Sequence, residues 1–139
     1  MPFAKCYYHV VWATKHRAAV IDSKLQVLIQ DIIQQKSREL YSPILAIYVM
    51  PDHVHVAVQI SPRIAVADWA RRIKGISSHE VNGAFPNLET TFTWQKSYGV
   101  VTFGEKQAGF VVNYIVKQRE HHLNNHLYAL LENMDIGNV

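Results

Sequence analysis

Two histidines separated by one valine, His53 and His55, lie in an apolar stretch that runs from residue 47 to residue 60. Side chains alternate between the two faces of a β-strand, so both imidazoles point to one face if this stretch is extended. Val54 and Val56 then point to the opposite face, which is the one a sheet would bury. Two imidazoles side by side on one strand face can hold a divalent metal ion. Polar side chains on the solvated face of a sheet give the same pattern, and the motif alone leaves both interpretations open.

The remaining sequence pattern predicts a single α+β domain spanning residues 1–139. Strands are expected at residues 6–14, 44–50, 53–60 and 98–103, and helices at residues 24–40, 66–81 and about 107–124. A two-residue turn, Pro51-Asp52, joins the second and third strands and favours an antiparallel hairpin. The order β-α-β-β-α-β-α is typical of a ferredoxin-like or RRM-like sandwich, with a four-stranded, largely antiparallel sheet and two packing helices. The C-terminal helix is additional and must dock on the sheet or on a second subunit.

Composition narrows the possible functions. The chain has 49% hydrophobic and 18% charged residues, which is ordinary for a folded domain. No apolar run approaches the roughly 18 residues that a membrane span needs, and residues 1–5 lack the layout of a signal peptide. Cys6 is the only cysteine, so no internal disulfide is expected and a cytoplasmic location is predicted. A net charge of +3 permits a nucleic-acid partner without requiring one.

The C-terminal helix carries a second candidate group. Tyr114 and Gln118 are four residues apart, so they share one helical face, which His121 extends. The Gln118 carbonyl oxygen can bind a hard metal ion, and the Tyr114 hydroxyl can attack a phosphorus atom polarised by that ion. The alternatives are that the tyrosine packs its ring amphipathically with its hydroxyl in water, and that His121 and His122 are helix-end cations.

Basic and aromatic side chains fit a nucleic-acid partner. Phosphate contacts, which position DNA without reading its sequence, are predicted for five residues: Lys15, Arg17, Arg71, Arg72 and Lys74. The last three are equally compatible with a solvated helical face. Trp94, Tyr98 and the irregular segment 83–91 could stack on unpaired bases, although Trp12 and Trp94 fit a protein core equally well.

The motifs, taken in order, resemble the single-tyrosine HUH transposases of minimal bacterial insertion sequences, including the REP-associated tyrosine transposases. The resemblance spans nearly the whole chain, which makes it far more specific than a lone His-Val-His. The matching stretches are Tyr8-His9-Val10-Val11-Trp12 with Thr14-Lys15 and Arg17, Met50-Pro51-Asp52-His53-Val54-His55, Lys74-Gly75 with Ser77-Ser78, Trp94-Gln95 with Tyr98-Gly99, and Tyr114-Ile115 with Gln118 and His121-His122.

This resemblance implies an RRM-like core that presents His53 and His55, with Gln118 as the candidate third ligand to Mg²⁺ or Mn²⁺. It implies that Tyr114 is the nucleophile, which forms a 5′-phosphotyrosine link and leaves a free 3′-OH, so that strands are rejoined without hydrolysis. The implied partner is single-stranded DNA with hairpins at the ends of the element. The implied assembly is a homodimer whose active site can be completed in trans.

Two alternative functions stay open at this point. A domesticated relative with the same residues could nick single-stranded DNA at chromosomal repeats. A non-catalytic RRM-like nucleic-acid binder is the other alternative. RRM binders place exposed aromatic side chains on the sheet, whereas the corresponding strand here carries His53 and His55, which weighs against that class.

Overall fold

The fold is built on a four-stranded sheet in the order β2-β3-β1-β4, with antiparallel pairing throughout. The structure is a computed structural model, and it describes residues 4–117. The strands are β1 (Tyr7–Ala13), β2 (Ile44–Val49), β3 (His53–Gln59) and β4 (Gly99–Phe103), and the helices are α1 (Ser23–Glu39), α2 (Val66–Ala84) and α3 (Ala108–Val116). This confirms the predicted α+β class, element order and β2–β3 hairpin.

One face of the sheet forms the main core with α1 and α2. Val54 and Val56 of β3 are fully buried there, as the alternation in the sequence predicts. Trp12 and Trp94 belong to the same core, with ring centroids 5.8 Å apart. The Trp94 indole N–H donates to the Ser77 hydroxyl at 2.8 Å. The suggestion that Trp94 stacks on unpaired bases is therefore wrong, because its ring is enclosed by protein.

The helix boundaries follow from local hydrogen bonds. The Asp22 carboxylate accepts from the backbone N–H of Leu25 at 2.9 Å and caps the start of α1. Helix α2 continues to Ala84, three residues beyond the predicted end at 81. Its last turn is supported by Asn82, whose amide oxygen accepts from the Phe92 N–H at 2.8 Å and whose amide N–H donates back to the Phe92 carbonyl at 3.0 Å.

The second face of the sheet carries the histidines and is covered by α3. Val111 and Ile115 of α3 are buried against Ala46 and Ala57. The interpretation of His53 and His55 as solvated side chains is therefore wrong, because they are 1% and 0% exposed.

The predicted helix 107–124 is described only as Ala108–Val116, so Gln118, His121 and His122 lie outside the described residues. Within residues 4–117, no helix is long and apolar enough to cross a membrane.

Candidate active site

The two histidines of β3 lie side by side on the face beneath α3. Their ring centroids are 5.2 Å apart and the planes are inclined by 73°. A nitrogen–metal bond of about 2 Å places an imidazole centroid roughly 3 Å from the metal, so this spacing allows both rings to reach one ion. The common face predicted from the His-Val-His alternation is confirmed.

Asp52 fixes the orientation of the His53 ring. Oδ1 of Asp52 lies 2.5 Å from Nδ1 of His53, a distance that fits a charge-assisted hydrogen bond from the ring N–H to the carboxylate. Arg17 Nη2 is also 3.5 Å from the same ring nitrogen, but an N–H that donates to Asp52 cannot accept from arginine. We assign the proton to Nδ1 because the Asp52 contact is much shorter, which makes Nε2 the nitrogen that can bind a metal.

Arg17 supports Asp52 from the other side. Its Nη2 lies 3.3 Å from Oδ2 of Asp52. The hydrogen bond from His53, with a smaller contribution from Arg17, holds the pKa of the Asp52 carboxyl below its ordinary value. The short turn Lys15–Arg17 brings the guanidinium back over the site. Within this turn His16 and Arg17 have φ values of 60° and 51°, a left-handed conformation that L-residues adopt at some energetic cost. Arg17 was predicted to contact phosphates, and the structure places it against Asp52.

His9 is a site residue that was not singled out in the sequence. It lies on β1, and its Nε2 is 2.9 Å from Nδ1 of His55. Both rings are buried, and burial lowers the pKa of His9 to about 4. The signal that could have found it was a single histidine within an apolar strand, combined with the antiparallel register that pairs Val11 with His55 and His9 with Ala57. The register between β1 and β3 could not be read from the sequence, so this proximity was not predicted.

Tyr114 is a residue of α3, and its ring contacts one of these histidines. Its ring packs edge-on against His9 with centroids 6.1 Å apart, and the His9 and His55 centroids are 5.1 Å apart. Tyr114, His9, His55 and His53 thus form a continuous row across the sheet. Tyr114 is only 3% exposed and its hydroxyl oxygen is buried, so the alternative in which the ring packs amphipathically and the hydroxyl lies in water is wrong.

Within residues 4–117, no group of three or more His, Cys, Asp or Glu side chains could hold a metal ion. Two of the predicted ligating side chains, His53 and His55, do lie together in the described part of the chain, and the Nδ1 atoms of both rings are engaged in hydrogen bonds. Further ligands would come from amide, hydroxyl, water or phosphate oxygens, or from residues beyond 117. Gln118, the predicted third ligand, belongs to that last group.

The predicted phosphate-binding residues lie in two places. Lys15 is exposed at the end of β1, next to Arg17. Arg71, Arg72 and Lys74 are on α2, where Arg71 pairs with Asp68 at 3.5 Å and Lys74 donates to the Ser97 carbonyl at 3.0 Å. Arg71 and Arg72 are exposed, whereas Lys74 is half-buried.

A groove of about 430 Å³ runs between α2 and the segment 93–98. Arg71, Lys74 and Lys96 line it, so its charge suits an anionic ligand. Gly75 also lines the groove and lies in the middle of α2, where glycine is a poor helix former. A Cβ at this position would meet no atom within 4 Å, so protein packing does not require glycine here. Space is therefore available for a larger side chain at this position.

Comparisons with known proteins show which family this chain is similar to. The family model for IS200-like transposases matches residues 2–118. The ISDra2 transposase TnpA of Deinococcus radiodurans is 27% identical over 117 residues, covering 81% of this chain and 84% of the relative. The transposase for insertion sequence element IS200 of Salmonella typhimurium is also 27% identical, over 119 residues that cover 83% of this chain and 78% of the relative.

Solved structures show the same fold. A Deinococcus radiodurans R1 protein described as a transposase superposes with a TM-score of 0.69 and 30% identity, covering 84% of this chain and 93% of that protein. A REP-associated tyrosine transposase bound to a REP hairpin superposes with a TM-score of 0.64 and 18% identity, covering 88% of this chain and 72% of that one. With a family match over residues 2–118, the chain belongs to the IS200-like transposase family.

Proposed function

We propose that this chain cleaves and rejoins single-stranded DNA at hairpin-bearing ends of an insertion sequence, through a 5′-phosphotyrosine intermediate and with Mg²⁺ or Mn²⁺. The observation that carries the proposal is the row of rings that joins Tyr114 to His9, His55 and His53 on one face of the sheet. A nucleophilic hydroxyl and two metal-binding imidazoles within one row are the groups that phosphodiester transfer needs.

The metal would be held by Nε2 of His53 and of His55, with Gln118 as the candidate third protein ligand. The donor set fits because the Nδ1 atoms of both rings lie in hydrogen bonds to other side chains. A bound divalent ion would polarise the phosphodiester and stabilise negative charge on the leaving 3′ oxygen.

Tyr114 supplies the nucleophile. Its hydroxyl loses its proton as the oxygen forms a bond to phosphorus. The bond from phosphorus to the 3′ oxygen breaks, and the 3′ oxygen takes up a proton to become a free hydroxyl, so protons and bonds balance. Attack of another 3′-OH on the phosphotyrosine reverses these changes and joins new strands, so no water is consumed. Since Tyr114 is 3% exposed, the phosphate reaches the hydroxyl only when the packing of α3 on the sheet opens.

The proposed assembly is a homodimer, and the position of α3 bears on how its site is built. In this chain α3 packs on its own sheet through Val111 and Ile115, which supports a site assembled within one subunit. Completion in trans requires α3 to leave this face and dock on the partner. Mixing Tyr114→Phe subunits with His55→Ala subunits distinguishes the two, provided that mixed dimers form, because only assembly in trans restores activity.

The proposed DNA contacts are Lys15, Arg17, Arg72 and the cationic groove beside α2 that Arg71 and Lys74 line. A relative of the same fold was solved bound to a REP hairpin, which supports a DNA hairpin as the partner. That relative also favours a second candidate function, nicking of single-stranded DNA at chromosomal repeats. Since both substrates are chromosomal DNA, we propose a cytoplasmic location for either reaction.

The experiment that tests the function uses two sets of hairpin oligonucleotides. One set carries the imperfect palindromes that flank the gene, and the other carries repeats found elsewhere in the chromosome. We expect a metal-dependent covalent adduct with single strands of one set and none with the same sequences as duplexes. The preferred set separates a mobile element from a nickase, and binding without an adduct in any condition would support a non-catalytic binder instead.

A further inference from the structure

We propose that His9 is a positioning residue for His55: it accepts a hydrogen bond from Nδ1 of His55 and so keeps Nε2 of that ring directed at the metal. The inference rests on the proposed function, because it takes the metal site of His53 and His55 as given. It assigns a role to a buried histidine that the proposed chemistry does not otherwise use.

The geometry of the pair is fixed by the sheet. His9 and His55 lie on neighbouring strands β1 and β3, diagonally across the register, and their facing nitrogens are 2.9 Å apart. His9 is 2% exposed and His55 is 0% exposed, so water cannot replace His9 as the partner of the His55 ring without repacking of α3. The backbone ladder therefore sets both the distance and the direction of the hydrogen bond.

The position of the protons follows from the chemistry of imidazole. A neutral imidazole has one N–H and one lone pair, and a metal ion takes the lone pair. Because Nδ1 of His55 faces His9, the metal is left with Nε2, and the proton of His55 must sit on Nδ1. That N–H needs an acceptor in a buried site, and Nε2 of His9 provides it.

His53 has a comparable arrangement, with a carboxylate as its partner. Asp52 accepts from Nδ1 of His53 at 2.5 Å and is 27% exposed on its side chain, so its charge keeps some contact with water. A carboxylate in the position of His9 would have to be buried almost completely, which is strongly unfavourable. A neutral imidazole can accept the same hydrogen bond without bringing a charge into the site.

The second ring nitrogen of His9, Nδ1, indicates that this histidine has a role other than stabilising the fold. Nδ1 of His9 is buried and has no hydrogen-bond partner among the described residues. A buried polar atom without a partner destabilises the folded state, whereas an apolar side chain of similar size would not. The chain therefore keeps histidine at a position where an apolar residue would favour folding, which is expected if the His55 hydrogen bond is needed.

The first test measures Mn²⁺ affinity of metal-free protein by electron paramagnetic resonance, without DNA. His9→Met removes the acceptor, and we expect it to weaken Mn²⁺ binding about 10- to 100-fold, the usual effect of losing such a partner. His9→Gln retains an acceptor at the same place and should bind within about threefold of the wild type. The matched control is His79→Met, which changes an exposed histidine on α2 and should leave affinity unchanged.

The outcomes separate the two proposals. If the wild type binds no Mn²⁺, both the proposed metal-dependent function and the role proposed for His9 are wrong. If the wild type binds and His9→Met binds equally tightly, only the role of His9 is wrong. Thermal unfolding of each metal-free variant accompanies the titration, and we expect His9→Met to be at least as stable as the wild type.

A second measurement is made on the wild type, so its result does not depend on whether His9→Met folds. Nitrogen-15 NMR of the Mg²⁺-loaded wild type reports which nitrogen of each imidazole carries the proton. We expect His55 to be protonated at Nδ1, with coupling across the hydrogen bond to Nε2 of His9. Finding the His55 proton on Nε2 in the metal-loaded protein would overturn the proposal.

Discussion

The ring of Tyr114 packs edge-on against His9, with centroids 6.1 Å apart, where helix α3 crosses the histidine face of the sheet. His9 in turn contacts His55 through a 2.9 Å hydrogen bond. The C-terminal helix and the His-Val-His strand, about sixty residues apart in sequence, are therefore connected through a residue on a third element. This connection gives the chemistry proposed for Tyr114 a defined position relative to His53 and His55.

Replacing Asp52 by asparagine should weaken metal binding. Asp52→Asn keeps an oxygen near Nδ1 of His53 but removes the negative charge that makes the ring a better ligand. We expect Mn²⁺ affinity to fall about tenfold, within the usual range for such partners. Isothermal titration of metal-free protein measures it, with Asp31→Asn, an exposed site on α1, as the control. Equal affinity for Asp52→Asn and wild type would show that the carboxylate does not support His53.

The stability of the metal-free protein should depend on pH through His9. Burial lowers its pKa from 6.5 to about 4, so between these values the unfolded chain binds a proton that the folded chain does not. The contribution of His9 to the free energy of unfolding is therefore constant above pH 6.5, and the folded state becomes less stable as the pH falls toward 4. The loss is on the order of 3 kcal/mol for this group.

Urea denaturation between pH 8 and pH 4 measures this dependence, with His9→Gln as the matched variant. The other titrating groups are common to both proteins, so the difference between the two stability curves isolates His9. We expect that difference to be flat above pH 6.5 and to grow as the pH falls. A difference that stays constant over the whole range would contradict a depressed pKa for His9.

Gly75 offers a test of the groove beside α2. Gly75→Ala should stabilise the protein by up to about 1 kcal/mol, because a Cβ meets no atom within 4 Å and alanine is a better helix former. Gly75→Leu fills the groove and should weaken binding of a DNA hairpin about tenfold, or ~1.4 kcal/mol. Fluorescence anisotropy measures the affinity.

Gly83 is the control for that experiment. It also lies on α2, its Cβ would likewise meet no atom within 4 Å, and it does not line the groove. Gly83→Leu should leave DNA binding unchanged. If both leucine variants bind DNA as the wild type does, the groove is not the DNA contact.

The elements and the two faces of the sheet were predictable from local patterns. The alternation around Val54 and Val56 marked the buried face, and the spacing of apolar residues marked α1 and α2. Two features depend on tertiary structure. The register between β1 and β3 brings His9 beside His55, and docking of α3 buries the sheet face that carries His53 and His55, which the sequence pattern also allowed to be solvated. The sequence also could not decide whether Trp94 lies in the core or stacks on bases, because both roles use the same residue type.

The most direct test of the account is the identity of the nucleophile. Wild type, Tyr114→Phe and Tyr48→Phe are each incubated with Mn²⁺ and a single-stranded hairpin oligonucleotide, and the covalent adduct is quantified on a denaturing gel. Tyr48 is the matched control because it lies directly opposite His55 on β2. We predict an adduct with wild type and Tyr48→Phe, and none with Tyr114→Phe although it still binds the DNA. An adduct that persists in Tyr114→Phe, or is lost in Tyr48→Phe alone, would contradict the account.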